Sequence, residues 1–127
     1  MKISKKTNYG LQACYYLKEV YPDGSVSAKE LEKKIAVSSK YLEQIMRALS
    51  KQNIVKASRG ASGGYYLAKA PSEITAGDIV RALEENLEII SCVKKTNCTK
   101  CPSANVWRIL HKDINESLDR IKLSEME

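Results

Sequence analysis

Residues 26–68, VSAKELEKKIAVSSKYLEQIMRALSKQNIVKASRGASGGYYLA, read as a helix, a short turn, a second helix and a glycine-tipped β-hairpin, the element order of a winged helix-turn-helix. Ser27 followed by Glu30 is a capping-box pattern. It opens a helix whose apolar positions are Leu31, Ile35 and Val37. Ser38 or Ser39 caps the next helix, because a hydroxyl oxygen there can accept from a first-turn amide. In that second helix Leu42, Ile45, Met46 and Leu49 fall at i, i+3, i+4 and i+7. At about 100° per residue, Lys40, Gln44, Arg47 and Lys51 lie on the opposite side. One face packs and the other is free to read a partner. Residues 54–58 and 65–67 are β-prone runs joined through Arg59, Gly60, Ala61, Ser62, Gly63 and Gly64, and glycines let such a tip turn sharply and approach a ligand with its backbone.

Working outward, residues 7–21 form a first helix with Tyr9, Ala13, Tyr16, Leu17 and Val20 on one stripe, ended by Pro22, Asp23 and Gly24. Cys14 within it reads as a small buried hydrophobe. After the hairpin, Ala70 and Pro71 interrupt the chain, and Thr75 with Asp78 caps a helix over 76–87 whose buried face is Ile79, Val80 and Leu83. Residues 91–104 are a loop by composition. The last helix, 106–123, carries Val106, Leu110, Ile114, Leu118 and Ile121 in steps of four or three, a stripe suited to a second helix. Such a stripe can fold back on its own domain or pair with its copy; for a DNA reader the symmetry of palindromic half-sites favours a homodimer. Trp107 reads as its packing anchor. The fold class expected is mainly α with a small β-hairpin wing: a winged helix-turn-helix over 1–87, a cysteine loop over 88–105, and a dimerisation helix with its tail over 106–127.

A chain of 127 residues holds one modest core and excludes a large enzyme fold. Its charge is unevenly placed. Residues 1–70 carry 13 basic against 5 acidic side chains, and residues 71–127 carry 8 against 10, so the net +6 resides in the helix-turn-helix half. Neutralising phosphates releases counterions, so a basic reader domain is the electrostatic footprint of nucleic acid. No stretch reaches the roughly 18 apolar residues of a membrane span. The opening MKISKKTNYG lacks a signal peptide's apolar run, so the expected location is the cytoplasm, with no membrane partner.

A recognition helix touches base edges mainly through its first two turns, which here offer Ser39, Lys40, Tyr41, Glu43 and Gln44, with Arg47 following. Gln44 suits an adenine edge, Glu43 can accept from cytosine N4, and Lys40 and Tyr41 can hold a phosphate or a base. The alternative is a solvated helix face. On the wing, Lys56 and Arg59 beside Gly60 suit insertion of Arg59 into a narrow minor groove. Lys5, Lys6 and Thr7 are further candidate phosphate contacts. Residues 60–64 also spell the G-x-S-x-G nucleophile elbow, but an elbow needs a following helix and a partner histidine. Here strand-like residues follow and His111 is the only histidine. Catalysis is not expected.

Cys92, Cys98 and Cys101 form the second constellation, flanked by Lys94, Lys95 and Lys100. Positive neighbours favour the thiolate, and soft thiolates select zinc, copper(I) or iron–sulfur clusters. A thiol–disulfide switch through Cys98 and Cys101, or incidental thiols, are the alternatives.

The MKIS opening and first helix, SSKYLEQIMRALSKQNIVKASRGASGGYYLAKAPSEITAGDIVRALE over 38–84, the Cys-x5-Cys loop and VWRIL at the last helix together resemble the Rrf2 family of bacterial transcriptional regulators over nearly the whole chain. The resemblance implies a dimeric winged-helix protein that binds partly palindromic operators in promoter DNA. It implies recognition through Ser39, Lys40, Tyr41, Glu43, Gln44 and Arg59, and dimerisation through 106–123. Many members hold an iron–sulfur cluster, 2Fe-2S or 4Fe-4S, that senses cluster supply, nitric oxide or redox state; here Cys92, Cys98 and Cys101 would hold it. The family's usual cysteine gaps are five residues each, whereas the second gap here is two, although Cys101 keeps the third cysteine's place relative to Trp107. The fourth ligand is open: Ala104 stands where some members have histidine and Asn8 where others have an acidic residue, while His111 lies one turn beyond Trp107. Zinc or a thiol switch in place of a cluster, and a winged-helix module that binds protein, are the alternatives.

Overall fold

The computed structural model describes residues 2–60, 63–85, 87 and 102–127. Within them lie α1 (Lys5–Val20), α2 (Ala28–Ile35), α3 (Ser39–Lys51), β1 (Val55–Ala57), β2 (Tyr65–Leu67), α4 (Ala76–Leu83) and α5 (Ala104–Arg120), with single 3₁₀ turns at Pro71–Glu73 and Leu123–Glu125. The fold is mainly helical with a small antiparallel hairpin that pairs Val55 with Leu67 and Ala57 with Tyr65. The expected cysteine loop falls largely outside the described residues, as do Cys92, Cys98 and Cys101.

Hydroxyl caps start the first four helices, because each supplies an acceptor for an amide that the helix itself leaves unpaired. The Thr7 amide donates to Ser4 Oγ at 3.3 Å, that of Glu30 to Ser27 Oγ at 3.1 Å, and that of Tyr41 to Ser38 Oγ at 3.1 Å. Ser38, not Ser39, is therefore the cap of α3. At α4 both arms of a capping box are present, between Thr75 and Asp78, each at 3.0 Å. The turn between α2 and α3 passes through Ala36 at φ 54°.

The core gathers Leu17 of α1, Leu31 and Ile35 of α2, Leu42, Ile45, Met46 and Leu49 of α3, and Ile79 and Leu83 of α4. On α1 the innermost line is Thr7, Gly10, Ala13, Cys14 and Leu17, rotated from the expected tyrosine-bearing stripe. Tyrosine hydroxyls need water or a partner, so Tyr9 and Tyr16 stay half-buried at the flanks while small residues take the closest approach. A β-carbon on Gly10 would collide with the Leu83 side chain, so α4 crosses α1 at that notch. The amide of Ser4 also donates to Glu84 Oε1 at 2.5 Å.

The C-terminal part departs most from expectation. Helix α4 ends at Leu83 and not at 87, and α5 ends at Arg120 and not at 123. Beyond it the backbone pairs with the lead-in to α4: the Ala76 amide donates to the Ile121 carbonyl at 2.7 Å and the Leu123 amide to that of Ile74 at 2.8 Å. Leu123 is therefore a core residue, not part of the helix. Arg81 of α4 holds α5 through Asp119 and Asn115. Of the expected stripe, Ile114 and Leu118 are half-buried, whereas Val106, Leu110 and Ile121, joined by Ile109, stay exposed.

Cys14 is fully buried, and burial pushes its thiol up to about 12. In the unfolded chain the same thiol ionises at its ordinary value, so between that value and about 12 the folded state holds the extra proton. This stabilising contribution is complete below the ordinary thiol value and lost as pH climbs toward 12. Alkaline denaturation followed by circular dichroism should show that loss, diminished in Cys14→Ala. A thiol alkylating reagent, read by peptide mass mapping, should label Cys14 only after denaturant is added.

Candidate nucleic-acid interface

Burial of one edge of α3 decides what its other edge can do. Leu42, Ile45, Met46 and Leu49 are buried, which turns Ser39, Lys40, Glu43, Gln44 and Arg47 to solvent on one face. Glu43 and Arg47 pair across one helical turn at 2.9 Å, with both side chains well exposed. Such an exposed pair is weak, so either side chain is free to exchange its partner for a base or phosphate. Tyr41 behaves differently. It is half-buried, with its ring edge-on to Tyr9 of α1 at 5.9 Å between centroids and 86° between planes, so its ring braces α3 and its hydroxyl is the part left for contact.

The wing is attached more firmly than a two-stranded hairpin would be. Val26, just before α2, adds a third short pairing: its amide donates to the Tyr65 carbonyl at 2.9 Å and its carbonyl accepts from the Tyr65 amide at 2.8 Å. Ser58 closes the loop, its amide donating to the Gly64 carbonyl at 2.7 Å and its Oγ accepting from the Gly64 amide at 2.9 Å. Two glycines are needed for distinct reasons. Gly60 sits at φ 107° in open space, so its need is conformational. At Gly64 a β-carbon would overlap the Val26 carbonyl, so its need is close backbone approach. Lys56, Arg59 and Gly60 are exposed on this wing.

Wing and reading helix adjoin. The Ile54 amide, leading into β1, donates to the Leu49 carbonyl of α3 at 3.1 Å, and burial, followed by the Glu43 and Glu32 carboxylates, pushes the Tyr65 phenol upward. The structure thus brings Ser39, Lys40, Glu43, Gln44, Arg47, Lys56, Arg59 and Gly60 onto exposed surface of adjoining elements, with Tyr41 at its edge. Thr7 is excluded from the expected phosphate contacts, since it is fully buried with its hydroxyl 3.2 Å from Ser4 Oγ. The anchoring role of Val26 had no sequence signal, because it depends on a pairing with Tyr65 about 40 residues away, whereas Ser58 closes its loop locally onto Gly64. The elbow motif lies in this hairpin, and a strand follows it.

The sequence profile of the Rrf2 family, described as an iron-dependent transcriptional regulator, matches residues 3–127. The chain belongs to the Rrf2 family. Among Rrf2 relatives, the HTH-type transcriptional regulator IscR of Aliivibrio salmonicida is 32% identical over 129 residues, covering 99% of this chain and 77% of that protein. The solved structure of T. potens IscR is 40% identical, with a TM-score of 0.77 over 99% of this chain and 85% of that one. That of CymR, the global cysteine regulator of B. subtilis, is 33% identical, with a TM-score of 0.83 over 98% and 95%. This Rrf2 chain is accordingly a transcriptional regulator and not an enzyme. Among its described residues no helix is long and apolar enough to cross a membrane.

Gly64→Ala should lower stability by about 1–3 kcal/mol, the usual cost of overpacking, because the obstacle is backbone that cannot swing aside. Thermal melting compared with Ala57→Gly, on an exposed strand position, checks that the effect belongs to the close approach.

Proposed function

We propose that this protein regulates transcription by binding partly palindromic promoter DNA as a homodimer, with α3 in the major groove and the wing against the adjacent backbone or minor groove. The observation that carries this reading is the exposed polar face of α3 beside a wing that presents Lys56 and Arg59, in a family of transcriptional regulators. Ser39, Lys40, Tyr41, Glu43, Gln44 and Arg47 serve the major groove, and Arg59 with Gly60 serves the wing contact. The occupant of the α5 face is a second copy of the chain: Val106, Ile109 and Leu110 project apolar surface on a helix that is otherwise held to its own domain by Arg81. Arg59→Ala should weaken operator binding and reduce its salt dependence; operator affinity equal to the parent chain across a salt series would overturn the assignment. Val106→Glu combined with Ile109→Glu should yield monomers in light scattering and lower operator affinity with them.

We further propose that the signal is an iron–sulfur cluster held by Cys92, Cys98 and Cys101. Support comes from the donor chemistry, three closely spaced thiols among lysines, and from the family's iron dependence. When bound, the cluster supplies an oxidisable centre within the segment that joins α4 to α5. His111 offers a fourth donor, because its Nδ1 is buried and has no hydrogen-bond partner among the described residues. The protein location that suits this chemistry is the cytoplasm. Iron, acid-labile sulfide and zinc, measured with an absorption spectrum on protein purified without oxygen, test the reading. Matching iron and sulfide, lost in Cys92→Ala, are expected; zinc alone, or no metal, would replace the cluster with zinc or thiol oxidation as the signal.

A further inference from the structure

Beside α3, on the side away from the wing, lies an open groove of about 360 Å³ lined by Lys6, Gln44, Arg47, Lys51, Gln52 and Glu85 together with the end of α4. Among the described residues it places three cations and two amides against a single carboxylate. Among the described residues Lys6 and Lys51 have no ion-pair partner, so their charge is not spent within the fold. The groove begins where the base-facing surface ends, because Gln44 and Arg47 belong to both.

A helix seated in the major groove has a phosphate strand on each flank. The groove is about 12 Å wide and a helix with its side chains about 10–12 Å across, so cations at both edges of α3 come within reach of backbone oxygens. On the Glu43 edge the wing supplies Lys56 and Arg59. On the opposite edge α1 leans against α3 through Tyr9 and Tyr41, and the cations available there are Lys6 and Lys51. We infer that the Lys6–Lys51 groove is a second phosphate site, which grips the DNA strand on the side of α3 opposite the wing. The site reads no sequence; it sets the height and tilt of α3 in the groove. The Glu85 carboxylate in its lining opposes that grip. This inference rests on the DNA-binding reading above and extends it to residues on three separate elements.

The test is a salt series of binding by fluorescence anisotropy, with an operator duplex and an unrelated duplex, on the full chain and on Lys6→Gln, Lys51→Gln, the double variant and Glu85→Gln. Each lysine variant should reduce the slope of log affinity against log salt by about one and weaken both duplexes to the same degree. Glu85→Gln should tighten both duplexes, an effect that partial unfolding would not produce; melting curves confirm that the variants fold. An unchanged slope in the double variant, while Arg59→Ala still lowers it, overturns the second site and leaves the DNA-binding reading intact. Absence of salt-dependent binding in the parent chain overturns both. Inorganic phosphate at matched ionic strength should leave DNA binding unchanged. Saturable competition that Lys51→Gln removes would mark a free-anion site and overturn the assignment to the DNA backbone.

Discussion

Burial of Leu42, Ile45, Met46 and Leu49 against the rest of the core is the constraint on which this structure depends. Those four side chains hold α3 in one rotational setting, and a helix so held must present the opposite residues to solvent. The polar face is thus a consequence of the apolar one. Tyr9 against Tyr41 adds a brace at the start of the helix, where the edge-on geometry places one ring's positive rim on the other's electron-rich face.

The wing depends on backbone more than on side chains. Three residues per strand make a hairpin that would be marginal alone. The Val26 pairing secures it to the entrance of α2 and the Ser58–Gly64 clasp closes its loop, so the wing and the reading helix share one frame. Beyond β1 the backbone passes through Gly60 at positive φ, directly after Arg59.

A second frame joins the far end of the chain to the first. Leu83 fits the notch at Gly10, Glu84 accepts from the Ser4 amide, and the residues after α5 pair with the lead-in to α4. The end of α4, from which the chain leads toward the cysteines, is therefore seated on α1, the same helix that braces α3. Lys18 Nζ donating to the Met126 carbonyl ties the C-terminal turn to α1 as well.

Short-range periodicity and capping are legible along the chain, because they depend on residues close in sequence. The helix-turn-helix, the hydroxyl caps and the polar face of α3 follow from neighbours within a few residues. The family was legible from motif spacing. The helix ends at Leu83 and Arg120 were not, because they are set by Glu84 meeting Ser4 and by residues 121–123 pairing with 74–76, contacts between distant segments. Likewise the sequence pattern offered Thr7 as a phosphate ligand; only packing decided that it lies inside, since helix periodicity does not say which of two adjacent stripes faces the core when tyrosines count as apolar. The second groove could be seen only in three dimensions. Lys6 sits on α1, Lys51 on α3 and Glu85 just past the end of α4, and the two cations form one site only once α1, α3 and α4 are packed together.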